Sequence, residues 1–289
     1  MIEHSKRFLA SETAPCAPRN ARFHVIPVPY EATVSYIGGT RHGPDAILEA
    51  SNQLELYDGH GTPGQKGIFT QPPIDCSGSP EDVFNRISDA VCYAMQCNAI
   101  PIALGGEHSL TYGELMALKK HCSSFGVIQF DAHADLRDSY EGTKWSHACV
   151  MRRAVQDLGL PLAQIGNRIF CQEELEARSQ FHVLSWDAKL LHHEGMRDAV
   201  LPSSFPHEIF ITFDVDGLDP SVIPETGTPV PGGLTWHMAM DIIEQMAKGR
   251  RIIGADVVEL APRPGHIVSD FAAAMLAYQL MGAADRYSA

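Results

Sequence analysis

The chain has 289 residues, of which 45% are hydrophobic and 20% charged, enough to bury a sizeable core and form one α/β domain. Its net charge of −13 argues against nucleic acid or an anionic membrane as the main partner and is compatible with a cationic small molecule. No apolar run approaches the roughly 20 residues of a membrane span, and seven cysteines without a Cys-x-x-Cys pair fit the reduced thiols of a cytoplasmic protein.

Met1 to Asn20 is polar, holds Pro15 and Pro18 and has no apolar signal segment, so residues 1–20 are expected to form a loose arm before a single domain over 21–289. Phe23 to Val28 reads as a strand, Thr33 to Pro44 as a polar, Gly-rich loop, Ala46 to Leu56 as an amphipathic stretch and Gly67 to Thr70 as a further strand. Ser79-Pro80-Glu81-Asp82 is a helix start, with a cap residue, Pro in the first turn and acids at the positive end of the helix dipole. Val83, Phe84, Ile87, Val91 and Met95 follow at helical spacing and form a core stripe.

The next elements carry chemistry. Ile102-Ala103-Leu104 leads into Gly105-Gly106-Glu107-His108-Ser109, and Val127 to Phe130 leads into Asp131-Ala132-His133-Ala134-Asp135. Weaker strands are read at Arg168 to Phe170 and Phe181 to Leu184, and Ile209 to Phe213 then leads into Asp214-Val215-Asp216. Each motif starts where a buried strand ends, and the crevice beyond the carboxyl ends of strands is where an open α/β sheet binds its ligands. If the chain stays extended past Phe130, alternation sends Asp131, His133 and Asp135 to one face, and Asp214 and Asp216 share a face by the same argument. Thr235 to Lys248 and Ser269 to about Gly282 read as helices around a last strand, Arg251 to Val258. These elements add up to about eight strands in a three-layer αβα sandwich with a mostly parallel sheet.

A lone Asp-x-Asp is commonly a turn or a helix cap, but three ionisable groups crowded after a buried strand need a compensating charge. His108, Asp131, His133, Asp135, Asp214 and Asp216 are therefore read as the ligands of a two-metal centre. A calcium loop at Asp214 is rejected, because a strand precedes it and Pro220 follows Asp219. The oxygen-rich, thiolate-free donor set suits Mn²⁺ better than a structural zinc, with Mg²⁺, Fe²⁺, Co²⁺ and Ni²⁺ as alternatives.

With Ser146-His147-Ala148, Phe213 to Ser221 and Gly254 to Glu259, these motifs resemble, in order and spacing over roughly residues 23 to 285, those of the ureohydrolases, the arginase and agmatinase family. The resemblance implies that Asp131 and Asp214 bridge two Mn²⁺ ions, with His108 and Asp135 completing one shell and His133 and Asp216 the other. It also implies that hydroxide attacks a guanidinium carbon, Glu259 grips the guanidinium, His147 relays a proton to the departing amine, and the chain forms a homo-oligomer, a trimer or hexamer. Asp135-Leu136-Arg137 through Gly142, Ser146 through Arg153 and Gly227 through Thr235 look like the agmatinase branch. Arginases usually carry a small polar residue in the place of Arg137, so the expected reaction is agmatine to putrescine and urea. Arg137 is then expected in a structural ion pair. Alternatives are guanidinobutyrate, guanidinopropionate or guanidine as substrate, or a catalytically silent regulatory subunit. Asp256 lies in the last strand's run, with a supporting or a purely structural role open.

Overall fold

Eight strands assemble into one all-parallel sheet in the computed structural model, which describes residues 6–195 and 199–287. The strands are β1 (Phe23–Val28), β2 (Ile68–Thr70), β3 (Ile100–Gly105), β4 (Gly126–Phe130), β5 (Leu162–Ile165), β6 (Leu184–Trp186), β7 (Glu208–Asp214) and β8 (Arg251–Val258), in spatial order β2-β1-β3-β8-β7-β4-β5-β6. Among the described residues the helices are α1 (Gly43–Ala50), α2 (Pro80–Gln96), α3 (Thr111–His121), α4 (Val150–Gln156), α5 (Gln172–Gln180), α6 (Ala188–Glu194), α7 (Trp236–Ala247) and α8 (Val268–Arg286).

Two apolar cores result, one on each face of the sheet. Phe23, Val25, Ile102, Leu104, Ile128, Phe130, Ile211 and Phe213 pack with α1, α6, α7 and α8. Ile26, Val28, Ala103, Val127 and Phe210 pack with α2, α3, α4 and α5. The sandwich read from the sequence is this fold, and both faces are buried because parallel crossovers cover them with helices. The α2 start is a true capping box: Ser79 and Asp82 each accept the other's backbone N–H, at 3.2 and 3.1 Å.

On the α2–α5 face the sheet also carries polar residues. Register sets Gln164 beside Gln129, Gln129 beside Thr212 and Thr212 beside Asp256, a row of four fully buried polar side chains on β5, β4, β7 and β8. A bulge opposite Ile209 and Phe210, where β8 holds one extra residue, sets the phase that brings Asp256 level with Thr212.

Two expectations are corrected here. Arg168–Phe170 is not a strand; β5 lies earlier, over the short buried run Leu162–Ile165, and Ile169 makes only an isolated bridge with His133. Arg168 instead turns inward, donating to the carbonyls of Gly166, Asp216 and Val230. The arm is not loose over residues 6–20, because Phe8 and Leu9 are fully buried and their N–H groups donate to Thr70 Oγ1 and Ser51 Oγ at 3.0 and 2.9 Å. The polar composition around this apolar pair hid it. Residues 1–5 lie outside the described residues.

Candidate metal centre and active site

The three motifs converge at the carboxyl ends of β3, β4 and β7, which lie close together in the sheet although far apart in sequence. Gly106 allows the first to do so, since a Cβ there would lie 1.9 Å from the Tyr30 carbonyl oxygen. Simple strand alternation does not hold beyond the strand ends. Asp131 accepts the His133 N–H at 2.6 Å, and Asp135 takes a left-handed backbone with φ of 52°, so the chain turns instead of staying extended. After β7 a 3₁₀ turn, Val215–Gly217, folds Asp216 back, its N–H donating to Asp214 Oδ1 at 2.8 Å. The predicted ligands still meet, through turns that aspartate side chains close.

His108 Nδ1 lies 3.1 Å from Asp131 Oδ2, 3.0 Å from Asp135 Oδ2 and 3.6 Å from Asp214 Oδ2. His133 Nδ1 lies 3.1 Å from Asp216 Oδ2 and 3.5 Å from Asp131 Oδ1. Two donor clusters result, His108–Asp131–Asp135 and Asp131–His133–Asp216, with Asp131 common to both.

The supporting hydrogen bonds fix which nitrogen of His108 is free. Thr212 Oγ1 donates to Asp256 at 2.7 Å, so the 2.8 Å contact between His108 Nε2 and Thr212 Oγ1 requires Nε2 to be the donor. Nδ1 is then a bare lone pair, buried and without a hydrogen-bond partner, facing carboxylate oxygens. Burial opposes a charge on His108 and the adjoining Asp131 and Asp135 favour one, holding the group well above its ordinary value. A second proton on Nδ1 would find no aligned acceptor, so a metal cation fits this converging set of lone pairs better. The carboxylates tell the same story. Burial and then Asp131 push Asp135 up to about 7, and burial and then Asp216 and Asp131 push Asp214 well up. Two divalent cations would relieve this crowding.

Asp256 anchors the arrangement from below. It accepts Thr212 and Thr111 hydroxyls at 2.7 Å each and the Phe213 N–H at 3.1 Å. Glu114 faces it from α3, fully buried and with no donor of its own, its pKa raised well up by burial and then by Asp256. On the other side Gln164 donates to Gln129, and Gln129 to Asp131 Oδ2, each at 2.6 Å.

A cleft of about 170 Å³ opens above the ligands, lined by His133, Asp135 and Asp214 and by His147, Glu259, Arg137, Tyr36, Tyr140 and Ile169. Glu259 is buried in a left-handed conformation with φ of 66°, held where its Oε1 accepts the His108 N–H at 2.6 Å. Such backbone strain in a non-glycine residue marks functional sites. Burial and then Glu107 raise its carboxyl well above the ordinary range, as suits a site that awaits a cation. His147 reaches the cleft from the turn after Ser146, its imidazole lowered by burial and its Nδ1 3.2 Å from Thr33 Oγ1. Thr33 in turn donates to Glu107 at 2.7 Å. Sequence reading assigned no role to Thr33, Glu114, Gln129 or Thr212.

Arg137 departs from expectation. Its guanidinium lies over Tyr140, 5.1 Å from the ring centroid, and makes no ion pair among the described residues. The neighbouring carboxylates are engaged elsewhere: Asp138 by Arg153 at 2.5 Å, Glu174 by the Leu136 and Cys171 N–H groups.

Comparisons with known proteins agree with this geometry. An N(1)-aminopropylagmatine ureohydrolase of Synechocystis is 39% identical over 287 residues, covering 96% of this chain and 93% of that protein. An agmatinase of Pyrococcus horikoshii is 32% identical over 283 residues, covering 96% and 98%. The crystal structure of the agmatine ureohydrolase of Thermoplasma volcanium superposes with a TM-score of 0.87 at 29% identity, covering 99% of this chain and 96% of that one. The sequence profile described as Arginase family matches residues 21–282, and the chain belongs to that family of hydrolases acting on guanidino C–N bonds.

Proposed function

We propose that this protein releases urea from agmatine or its N1-aminopropyl derivative, using two Mn²⁺ ions. The observation that carries the reading is the pair of donor clusters sharing Asp131, set in one cleft with Glu259 and His147. His108, Asp131, His133, Asp135, Asp214 and Asp216 would hold the ions. When bound, the ions supply Lewis acidity that makes water a nucleophile near neutral pH, which a resonance-stabilised guanidinium requires.

The chain's own residues do the rest. Glu259 holds the guanidinium through a paired carboxylate interaction. His147, half shielded from solvent at the cleft, hands a proton to the departing amine, whose loss as a neutral amine this makes possible. Tyr36 and Ile169 expose 76% and 48% of their surface at the rim, apolar area suited to the alkyl tail of a long substrate. The donor chemistry supports Mn²⁺, since four carboxylates and two imidazoles form an oxygen-rich set. A homo-oligomer is part of this reading, supported by Ile267 and Phe271, which expose apolar surface at a shared groove; light scattering tests it.

The test is urea release by Mn²⁺-loaded protein from agmatine, N1-aminopropylagmatine, arginine, 4-guanidinobutyrate, 3-guanidinopropionate and guanidine side by side. Preference for either agmatine compound is expected, and inactivity on all six at full metal loading would sink the reading. One observation favours a second reading: Arg137 without an ion pair, at the cleft, could receive a carboxylate. Preference for a guanidino acid would select it.

A further inference from the structure

The reading of His147 as a proton donor leaves open which ring nitrogen works and what fixes it. The hydrogen bonds around Thr33 decide this. Glu107 receives the Ala32 and Thr33 N–H groups at 2.5 and 2.6 Å on one oxygen, and the Ser109 and Thr33 hydroxyls at 2.5 and 2.7 Å on the other. With four donors converging on it, this carboxylate acts as an acceptor only. The single hydroxyl proton of Thr33 is therefore committed to Glu107, and Thr33 Oγ1 can only accept from elsewhere.

Two groups of His147 point at that oxygen: its backbone N–H at 3.0 Å and its Nδ1 at 3.2 Å. Since Oγ1 has no proton left to give, Nδ1 must carry one. Ser146 Oγ, at 3.5 Å from the same nitrogen, sits at the outer limit of hydrogen bonding and does not compete. The imidazole is thus held by backbone and ring on one threonine oxygen.

We propose that Thr33 is a positioning residue that fixes His147 as its Nδ1–H tautomer, leaving Nε2 as the atom that takes up a proton and passes it to the departing amine. This rests on the proton-donor reading of His147. The arrangement is a hydroxyl counterpart of the carboxylate that orients a catalytic histidine elsewhere, with Glu107 as the group behind it. It also gives Glu107 a task that the metal centre itself does not require of it.

The experiment measures kcat and KM for agmatine in Mn²⁺-loaded full-length protein carrying Thr33→Val, Thr33→Ser, His147→Asn or Thr33→Val with His147→Asn. Metal content is determined for each. Thr33→Val is expected to lower kcat about ten- to hundred-fold with KM and metal content little changed, the range typical when an orienting partner is removed. Thr33→Ser keeps the hydroxyl and should recover most of the rate, while Thr33→Val should have no further effect once His147 is gone, because the two act as one unit. A wild-type kcat in Thr33→Val, or an equal loss added to that of His147→Asn, would overturn the proposal while leaving His147 catalytic. Full activity of His147→Asn would remove the underlying reading instead. Should Val disturb folding, Thr33→Ala is judged by the same outcomes.

Discussion

The floor and the rim of the cleft are built by different means. The floor is fixed by strand register: Gln164, Gln129, Thr212 and Asp256 lie side by side on four neighbouring strands, fully buried, and hold Asp131 and His108 from beneath. The rim is made of loop residues, with Tyr36, Tyr140, Arg137 and Ile169 touching solvent and Arg137 free of any ion pair among the described residues. Groups on rigid elements hold the geometry that bond-breaking needs, whereas loops can vary without disturbing the sheet. On the proposed reading, the reaction type rests on the floor and the choice of guanidino compound on the rim.

Breaking the floor at its shared ligand should have the largest effect. Asp131→Asn removes the carboxylate common to both donor clusters and should lower urea release by at least about 1,000-fold, a loss of several kcal/mol of transition-state stabilisation. Near-normal turnover, with metal content measured in the same sample, would dissolve the binuclear assignment. One layer down, Asp256→Asn turns one of two acceptor oxygens into a donor facing Thr212 or Thr111. Mn²⁺ affinity, read by titration, should fall about ten- to hundred-fold; unchanged affinity would show that the row of polar residues serves only the fold.

Smaller effects are expected away from the floor. Burial works to raise the Glu31 carboxyl, but the Arg41 N–H and guanidinium and the Gly39 N–H outweigh it and hold it down to about 2. Its folded value lies below its ordinary 4.5, so its contribution is complete above that pH and disappears as pH falls from about 4.5 towards 2. Glu31→Gln should therefore cost about 1–2 kcal/mol at pH 7 and progressively less in acid, checked by denaturant unfolding across pH. An equal penalty at pH 3 would mean that the charge is irrelevant. The smallest change on the preferred substrate is expected from Arg137→Ala. Agmatine kcat/KM should move by less than about threefold, the range of a partly exposed charge that makes no ion pair among the described residues. A loss confined to guanidino acids would make it the residue that reads the substrate's tail.

The candidate ligands above the floor are legible in the sequence, and for a physical reason. Buried strands are short apolar runs, and Asp131, His133, Asp214 and Asp216 follow such runs directly, so both location and ligand chemistry are local in the sequence. The geometry of approach was not local. Asp135 and Glu259 reach their places through left-handed backbone, which a pattern of alternating residues cannot reveal. Gln129, Thr212 and Gln164 did carry a signal, since each interrupts an otherwise apolar buried strand, and polar residues there need partners. Thr33 and Glu114 had none: their meaning depends on contacts with His147, 114 positions away, and with Asp256 across the helix–sheet boundary. Arg137 was misjudged because its carboxylate neighbours are claimed by Arg153 and by backbone N–H groups, a competition visible only in three dimensions.

The strand order has a consequence for how the chain matures. β7 and β8 are the last strands to be synthesised, yet they occupy the middle of the sheet, between β3 and β4. Until they arrive, β2-β1-β3 and β4-β5-β6 can exist only as two half-sheets with facing unpaired edges, the kind of template on which chains aggregate. Long-range parallel pairing of this type is slow to form. His108 and Asp131 sit on opposite half-sheets, so the first candidate donor cluster cannot assemble until the central strands close the gap. On the proposed reading, metal would therefore be captured late, at the seam that the two central strands close.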